Sequence, residues 1–299
     1  MSIVLAGHQY GKAENRVVRV QRDCARHEIV DLNVTTTLRG DFADAYLTGD
    51  QSKVLPTDTQ KNTVYAYAKQ KGVASIEGYA LELARHFVDD VAPVTGARVD
   101  VDAYPWTRAQ VGGTGHDHTW VRSGSEVRTT AVTVSGEGEQ QVAHVLAGLK
   151  ELTLLKSTGS QFKGFLEDEY TTLRETDDRV MATSLVATWR YGAAALADGF
   201  DFDAAYAQIR QAVLEQFATL HSLALQQTLW HMGRAALERV PDAVEIRLLA
   251  PNKHHFDYDL ARFGVQNDGE VFHADDRPYG LIQAVVANDA CPAAPEAWA

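Results

Sequence analysis

VMATSLVATW, residues 180–189, and FDAAYAQIRQAVLEQFATL, residues 202–220, show two different periods within forty residues. In the first, Met181, Leu185 and Trp189 face one way, and Val180, Ala182, Ser184, Val186 and Thr188 the other. That is the alternation of a strand with two unequal faces. In the second, Phe202, Tyr206, Ile209, Val213, Phe217 and Leu220 recur every three or four residues, which marks one apolar face of a helix. Asp201 and Asp203 stand at its start, where the helix dipole favours negative charge. A further helix is expected from Ser222 to Arg239, striped by Leu225, Leu229, Met232 and Ala236 and stopped by Pro241.

The same vocabulary recurs outward from this passage. Arg16 to Val20 and Val127 to Val134 are rich in β-branched residues and read as strands. Phe256, Tyr258 and Leu260 alternate with Asp257 and Asp259 and predict another. Ile76, Tyr79, Leu83 and Phe87 share one helical face, with Ser75 placed to cap it. The order is strands, helices, strands, and it occurs twice, over about Ile3 to Ser135 and Gln140 to Asn288. The Gly/Glu-rich Ser135 to Glu139 is the expected seam. The repeat lies in element order, not in residue identity. Grouped strands and helices predict an antiparallel α+β architecture.

The chain has 299 residues, 45% of them hydrophobic and 23% charged, an ordinary globular balance. Its net charge of -12, from 28 basic and 40 acidic residues, argues against nucleic acid or an anionic membrane as partner. A small anionic substrate is still compatible, because local cations can line a pocket on an acidic body. The two cysteines, Cys24 and Cys291, have no spacing that suggests a disulfide framework or metal site. No apolar run approaches a membrane span, and the start of the chain lacks the basic region of a signal peptide. A cytoplasmic protein is expected.

Familiar catalytic signatures are missing: no phosphate-binding Gly loop, no GxSxG, no HExxH. His116 and His118 share a strand face, but without a third ligand they read as a polar strand end or an organic-ligand contact rather than a metal site. Four segments carry more. They are Tyr10-Gly11-Lys12, Thr57 to Thr63, Lys156 to Arg179, and Leu249 to His254, each with polar or titratable residues at an element boundary. From the residues alone, a Lys, a Thr, an Arg and a His are available to converge. Taken singly, each reads first as a solvated loop charge or a helix cap.

Seven stretches together decide between these readings: QYGKAENRVVRV (9–20), RHEIVDLNV (26–34), TDTQKNTVYA (57–66), LLKSTGSQFKGFLEDEYTTLRETDDRV (154–180), HSLALQQT (221–228), PNKHHF (251–256) and DDRPYGLI (275–282). In sequence and in order they resemble the urate oxidase, or uricase, family across nearly the whole chain. The resemblance implies two tandem tunnelling-fold domains, residues 1–137 and 138–299. It also implies a homotetramer whose sheets close into a barrel, with active sites between subunits. The implied activity is cofactor-free oxidation of urate by O2 and water to 5-hydroxyisourate and hydrogen peroxide, in purine degradation.

The resemblance also assigns roles. Phe162 would stack on the purine face. Arg179 would give two parallel N–H bonds to one edge, a geometry lysine cannot offer. Gln226 would donate and accept along the opposite edge. The backbone amides of Leu225 and Asp58 complete the ring of hydrogen bonds. Lys12, Thr57 and His254 match the family's catalytic triad: Lys12 a base acting through the Thr57 hydroxyl, with a pKa lowered by its surroundings, and His254 a proton relay. Asn252 would hold oxygen, and then water, above the ring. Lys12 and Thr57 of one subunit would meet Phe162, Arg179, Gln226 and Asn252 of its neighbour. His255 follows His254 directly, so alignment with Asn252-Lys253-His254 decides which imidazole faces the site. The chain ends Glu296-Ala297-Trp298-Ala299, without the peroxisomal address of eukaryotic relatives. A pterin-handling relative, anchored by Glu169 or Glu175, is the alternative enzyme. A non-catalytic scaffold is opposed by the presence of both Lys12 and Thr57.

Overall fold

The computed structural model describes residues 2–197 and 199–299. The chain divides into two units: Met1–Gly148 with Arg190–Asp203 and Pro292–Ala299, and Leu149–Trp189 with Ala204–Cys291. Both are mixtures of helices and strands, with antiparallel pairing in each.

In the first unit the order is β1 (Tyr10–Gln21), β2 (Glu28–Gly40), α1 (Ala43–Leu47), α2 (Thr57–Gln70), α3 (Ile76–Asp90), β3 (Val94–Ala103), β4 (Trp106–Val111), β5 (Thr114–Arg122) and β6 (Val127–Ser135). β1, β2, β3 and β6 lie side by side in that order, while β4 and β5 form a separate hairpin. α3 packs on β3 and β6, and α2 on β1. The α3 stripe behaves as its spacing predicts: Ile76, Tyr79, Leu83 and Phe87 are all buried. Ser75 caps it, its side chain accepting from the Gly78 amide. β7 (Val142–Lys156) begins in this unit, and Thr130 donates to the Leu146 carbonyl.

The second unit continues β7 and adds β8 (Met181–Tyr191), α4 (Phe202–Thr219), α5 (Leu225–Arg239), β9 (Ala243–Asp257) and β10 (Phe272–Ala287). Strand order is β7-β8-β9-β10. Met181, Leu185 and Trp189 are fully buried, as the two-residue alternation requires. In α4, Phe202, Ile209, Val213 and Phe217 are buried, and the Tyr206 ring lies against Trp189. α5 buries Leu225, Leu229, Met232 and Ala236 and packs on β9 and β10. Its Gly233 is required by packing, since a Cβ there would lie 2.6 Å from Val286 Cγ2.

Two boundaries differ from the sequence expectation. α5 starts at Leu225, not Ser222, because the Ser222 amide donates to the Gly159 carbonyl instead of entering the helix. The expected strand through Leu260 stops at Asp257. Asp259 accepts from the Ala261 amide two residues on, and Asn267 donates to the Tyr258 and Val271 carbonyls. Such local side-chain bonds compete with a strand ladder.

Candidate active site

Lys12 sits where β1 is irregular. It pairs with Thr36, but the register shifts between Lys12 and Asn15. The shifted turn is held by Asn15 Nδ2, which donates to the Lys12 and Val34 carbonyls, and by Glu14, whose amide donates to Thr35 Oγ1. Glu14 adopts φ 56°, a left-handed conformation that costs a non-glycine residue free energy. A bulge re-aims side chains that a regular strand would alternate.

Thr57 and Asp58 are the first two residues of α2. The residue before them is Pro56, which offers no side-chain cap. The opening amides of a helix have no partner within it, so this end presents uncommitted N–H donors and the positive end of the dipole. The Asp58 carboxylate is already bonded to Lys61 and to Asn62 Nδ2. Those bonds, Lys61 first, hold it below the usual aspartate range, and the Lys12 charge acts in the same direction. Two contacts hold α2 and its lead-in against β2 and β1. Thr36, Lys12's pairing partner, donates to the buried Gln60 Oε1 at 2.8 Å, and Tyr10 donates to the Leu55 carbonyl at 3.0 Å.

In the second unit, Phe162 and Arg179 come together across an isolated bridge. Phe162 and Thr176 exchange backbone hydrogen bonds, and the Arg179 amide donates to the Ser160 carbonyl. The Arg179 guanidinium lies 5.4 Å from the Phe162 ring centroid. Its Nε is buried without a hydrogen-bond partner among the described residues. Burial alone pushes the guanidinium below its usual pKa. A half-buried cation whose buried Nε has no acceptor costs free energy until something accepts from it.

The other side of Ser160 leads to α5. Ser160 and Ser222 form a parallel bridge, with the Gln161 amide donating to the Ser222 carbonyl. Leu225 and Gln226 open α5, and Ala224 before them makes no side-chain cap. Gln226 is exposed, whereas Gln227 is committed, accepting from the Leu223 amide. Phe162, Arg179, Leu225 and Gln226 thus belong to one bonded assembly.

Asn252 and His254 lie two apart on β9 and share a face with Phe256, on which the His254 ring stacks at 5.6 Å. His255 points to the other face, with Nδ1 against the Lys253 carbonyl. Asn252 pairs with Gly280 and His254 with Asp275, so β10 residues 276–279 bulge away opposite Lys253. No hydrogen bond among the described residues joins Asn252 or His254 to the Arg179 assembly. Lys12, Thr57 and Asp58 belong to the first unit.

The His116 and His118 rings on β5 meet edge to face at 4.4 Å. Arg108 on β4 donates to the His116 and Asp117 carbonyls, which makes them part of a polar hairpin. Among the described residues no group of three or more His, Cys, Asp or Glu is placed to hold a metal ion, and no helix is long and apolar enough to cross a membrane. Sequence reasoning gave no role to Asp178 or Thr228 and read Ser222 only as a helix start. Their polar character was visible, but not the partners that make them matter.

Comparison with known proteins places this geometry. The uricase family model matches residues 8–133 and 145–283. The chain is 49% identical to a uricase of Arthrobacter globiformis over 296 residues, 99% of this chain and 94% of that one. A Danio rerio uricase is 37% identical over 287 residues, 93% of this chain and 92% of that one. The crystal structure of the Arthrobacter globiformis uricase superposes with a TM-score of 0.92, covering 100% of this chain and 99% of that chain. A Bacillus fastidious uricase structure, at 25% identity and covering 95% and 94%, superposes at 0.83. The matched segments contain every candidate site residue, and on these grounds the chain belongs to the uricase family.

Proposed function

We propose that this chain oxidises urate with molecular oxygen and water, giving 5-hydroxyisourate and hydrogen peroxide. The observation that carries the reading is the buried, unpartnered Arg179 Nε beside the Phe162 ring. It fits a flat, electron-rich anion that stacks on the phenyl face and accepts two N–H bonds along one edge. Gln226 and the Leu225 amide take the opposite edge. The uncapped start of α2 supplies the Asp58 amide to the same ring of donors.

Chemistry falls to Lys12, Thr57 and His254. Lys12 takes a proton from urate through the Thr57 hydroxyl, and the resulting dianion is the reductant. Urate passes two electrons to O2, water adds to the oxidised ring, and peroxide leaves; atoms and electrons balance with no further reductant. His254 relays protons through water, and Asn252, on the same face of β9, holds oxygen and then water over the ring. In this reading the chain folds as two tandem tunnelling-fold domains, 1–137 and 138–299. It works in the cytoplasm as a homotetramer, each site pairing Lys12 and Thr57 of one subunit with the Arg179 assembly of its neighbour. The reaction needs no cofactor, since the substrate supplies the electrons.

The direct test follows urate absorbance, oxygen uptake and peroxide release after chelation and exhaustive dialysis. One-to-one-to-one stoichiometry is expected. Absence of urate-dependent oxygen uptake, or activity that returns only with added metal, overturns the reading. For the shared site, co-expressed Lys12→Met and Arg179→Ala chains should form mixed oligomers that regain activity. Verified mixed oligomers as inactive as their parents exclude it.

A further inference from the structure

Arg179 and the start of α5 are both held to the segment 158–161, and the Asp178 carboxylate grips that segment beside the Arg179 amide. Its Oδ2 accepts from the Thr158 hydroxyl at 2.6 Å, and its Oδ1 accepts from the Gly159 amide at 2.9 Å and the Ser160 amide at 3.5 Å. These bonds, Thr158 first, hold the carboxylate below the usual aspartate range. Next to it in the chain, the Arg179 amide donates to the Ser160 carbonyl at 2.8 Å. The segment 158–161 is therefore gripped on one side by Asp178-Arg179. On its other side, Ser222 donates to Gly159 and accepts from Gln161. Ser222 Oγ, fully buried, accepts from Thr228 Oγ1 at 2.8 Å inside the first turns of α5. The order of connection is Asp178-Arg179, 158–161, Ser222, α5.

A purine bound edge to edge between the Arg179 fork and the Leu225 amide and Gln226 needs those edges at a fixed separation, and nothing covalent nearby sets it. Charge-assisted bonds from a carboxylate to backbone amides are among the stiffer local ties available. We infer that Asp178 is a positioning residue for substrate: it sets the spacing between the guanidinium and the α5 amides without touching the ligand. The inference rests on the reading of Arg179 as a substrate ligand.

Lys12 and Thr57 lie in the other unit, and no hydrogen bond among the described residues joins Asn252 or His254 to this assembly, so loosening the spacing should act on binding and not on the chemical step. Asp178→Ala should raise the urate KM and the Kd for xanthine, an unreactive purine probe, by up to about 10²-fold, the scale of charge-assisted hydrogen bonds left unmade. Asp178→Asn keeps one acceptor and should raise both by about 10-fold. Thr158→Val, at an exposed position, removes one donor to the carboxylate and should raise them by about 3-fold. In all three, kcat at saturating urate should stay within about twofold of the parent, and the graded order should hold at equal folded fraction. KM and Kd unchanged in Asp178→Asn and Thr158→Val overturn the inference. So does a fall in kcat that tracks the loss of folded protein. Arg179→Ala serves as the control: if it leaves xanthine binding intact, the site reading fails and takes this inference with it. Weakened binding in Arg179→Ala with none in the Asp178 and Thr158 variants removes the Asp178 role alone.

Discussion

α3 begins with a serine whose hydroxyl caps the Gly78 amide; α2 begins after Pro56 and α5 after Ala224, with no side-chain cap at either. The backbone at Ala224, φ -163° and ψ 154°, already has the extended geometry of a capping residue. Only the oxygen is missing. An N-cap of Ser, Thr, Asp or Asn stabilises a helix by about 1 kcal/mol over alanine. The chain uses that device where α3 packs into the core and forgoes it at α2 and α5, whose opening amides the proposed function assigns to substrate. A capped amide is unavailable to a ligand, so stability and recognition compete for the same N–H groups.

The largest effect expected on the functional side is at Lys12, beside uncapped α2. Lys12→Met should cut turnover by about 10²–10⁴-fold, the usual contribution of a positioned base, while xanthine still binds. Loss of xanthine binding in proportion to turnover would place Lys12 among the binding groups instead.

On the structural side the largest effect is at Arg128, under the start of α3. Its guanidinium donates to Glu77 at 2.8 Å and to Asp203 at 2.6 Å, and the Glu77 side chain is 0% exposed. Arg128→Met leaves a buried carboxylate without its cation and should cost about 3–5 kcal/mol in denaturant unfolding. The pH dependence follows from Glu77. Burial, the largest influence, raises its pKa above the ordinary glutamate value of 4.5, against the pull of Arg128. The folded state then holds the proton more tightly than the unfolded one. Stability from this group is fully present below about 4.5 and is lost as pH rises through the folded pKa. Without Arg128 that pKa rises further, so the variant's deficit should shrink in acid and be fullest at neutral pH. A deficit that grows in acid contradicts the assignment.

Ser75→Ala should lower stability by about 1 kcal/mol and leave urate KM and kcat unchanged. A change in KM would mean that α3 is not the purely structural member of the comparison. The smallest and most diagnostic change is Ala224→Ser. It adds an N-cap hydroxyl to a helix start where Gln227 already accepts from the Leu223 amide. Stability should rise by about 0.5 kcal/mol while the urate KM increases a few-fold, as the new hydroxyl competes for the α5 amides. A gain in stability with no change in KM would separate those amides from substrate.

Much of this was legible in the sequence for reasons that can be named. Trp189 and Leu185 lie inward because alternate residues of a strand share a face; Ile76, Tyr79, Leu83 and Phe87 because their spacing matches a helix turn. Ser75 was readable as a cap from its place before that stripe. The segments carrying Lys12, Thr57, Arg179 and His254 were readable as a family pattern. The strand through Tyr258 was misread because its alternation is real, but Asn267, nine residues on, takes the carbonyl that a ladder would have used.

By itself the sequence determined the type and inward face of the strongly periodic elements β8, α3, α4 and α5, and the family, because these follow from periodicity and from short contiguous segments. Tertiary structure alone decided that Glu14 turns left-handed at the Lys12 bulge and that Arg179 Nε is buried unpaired. It also decided that the Asp178 carboxylate reaches the Gly159 amide, and that Ser160 lies beside Ser222. Each depends on which distant segments become neighbours. A hydrogen bond is short-ranged and directional, so its partner is fixed only once the chain has folded, and no local pattern can announce it.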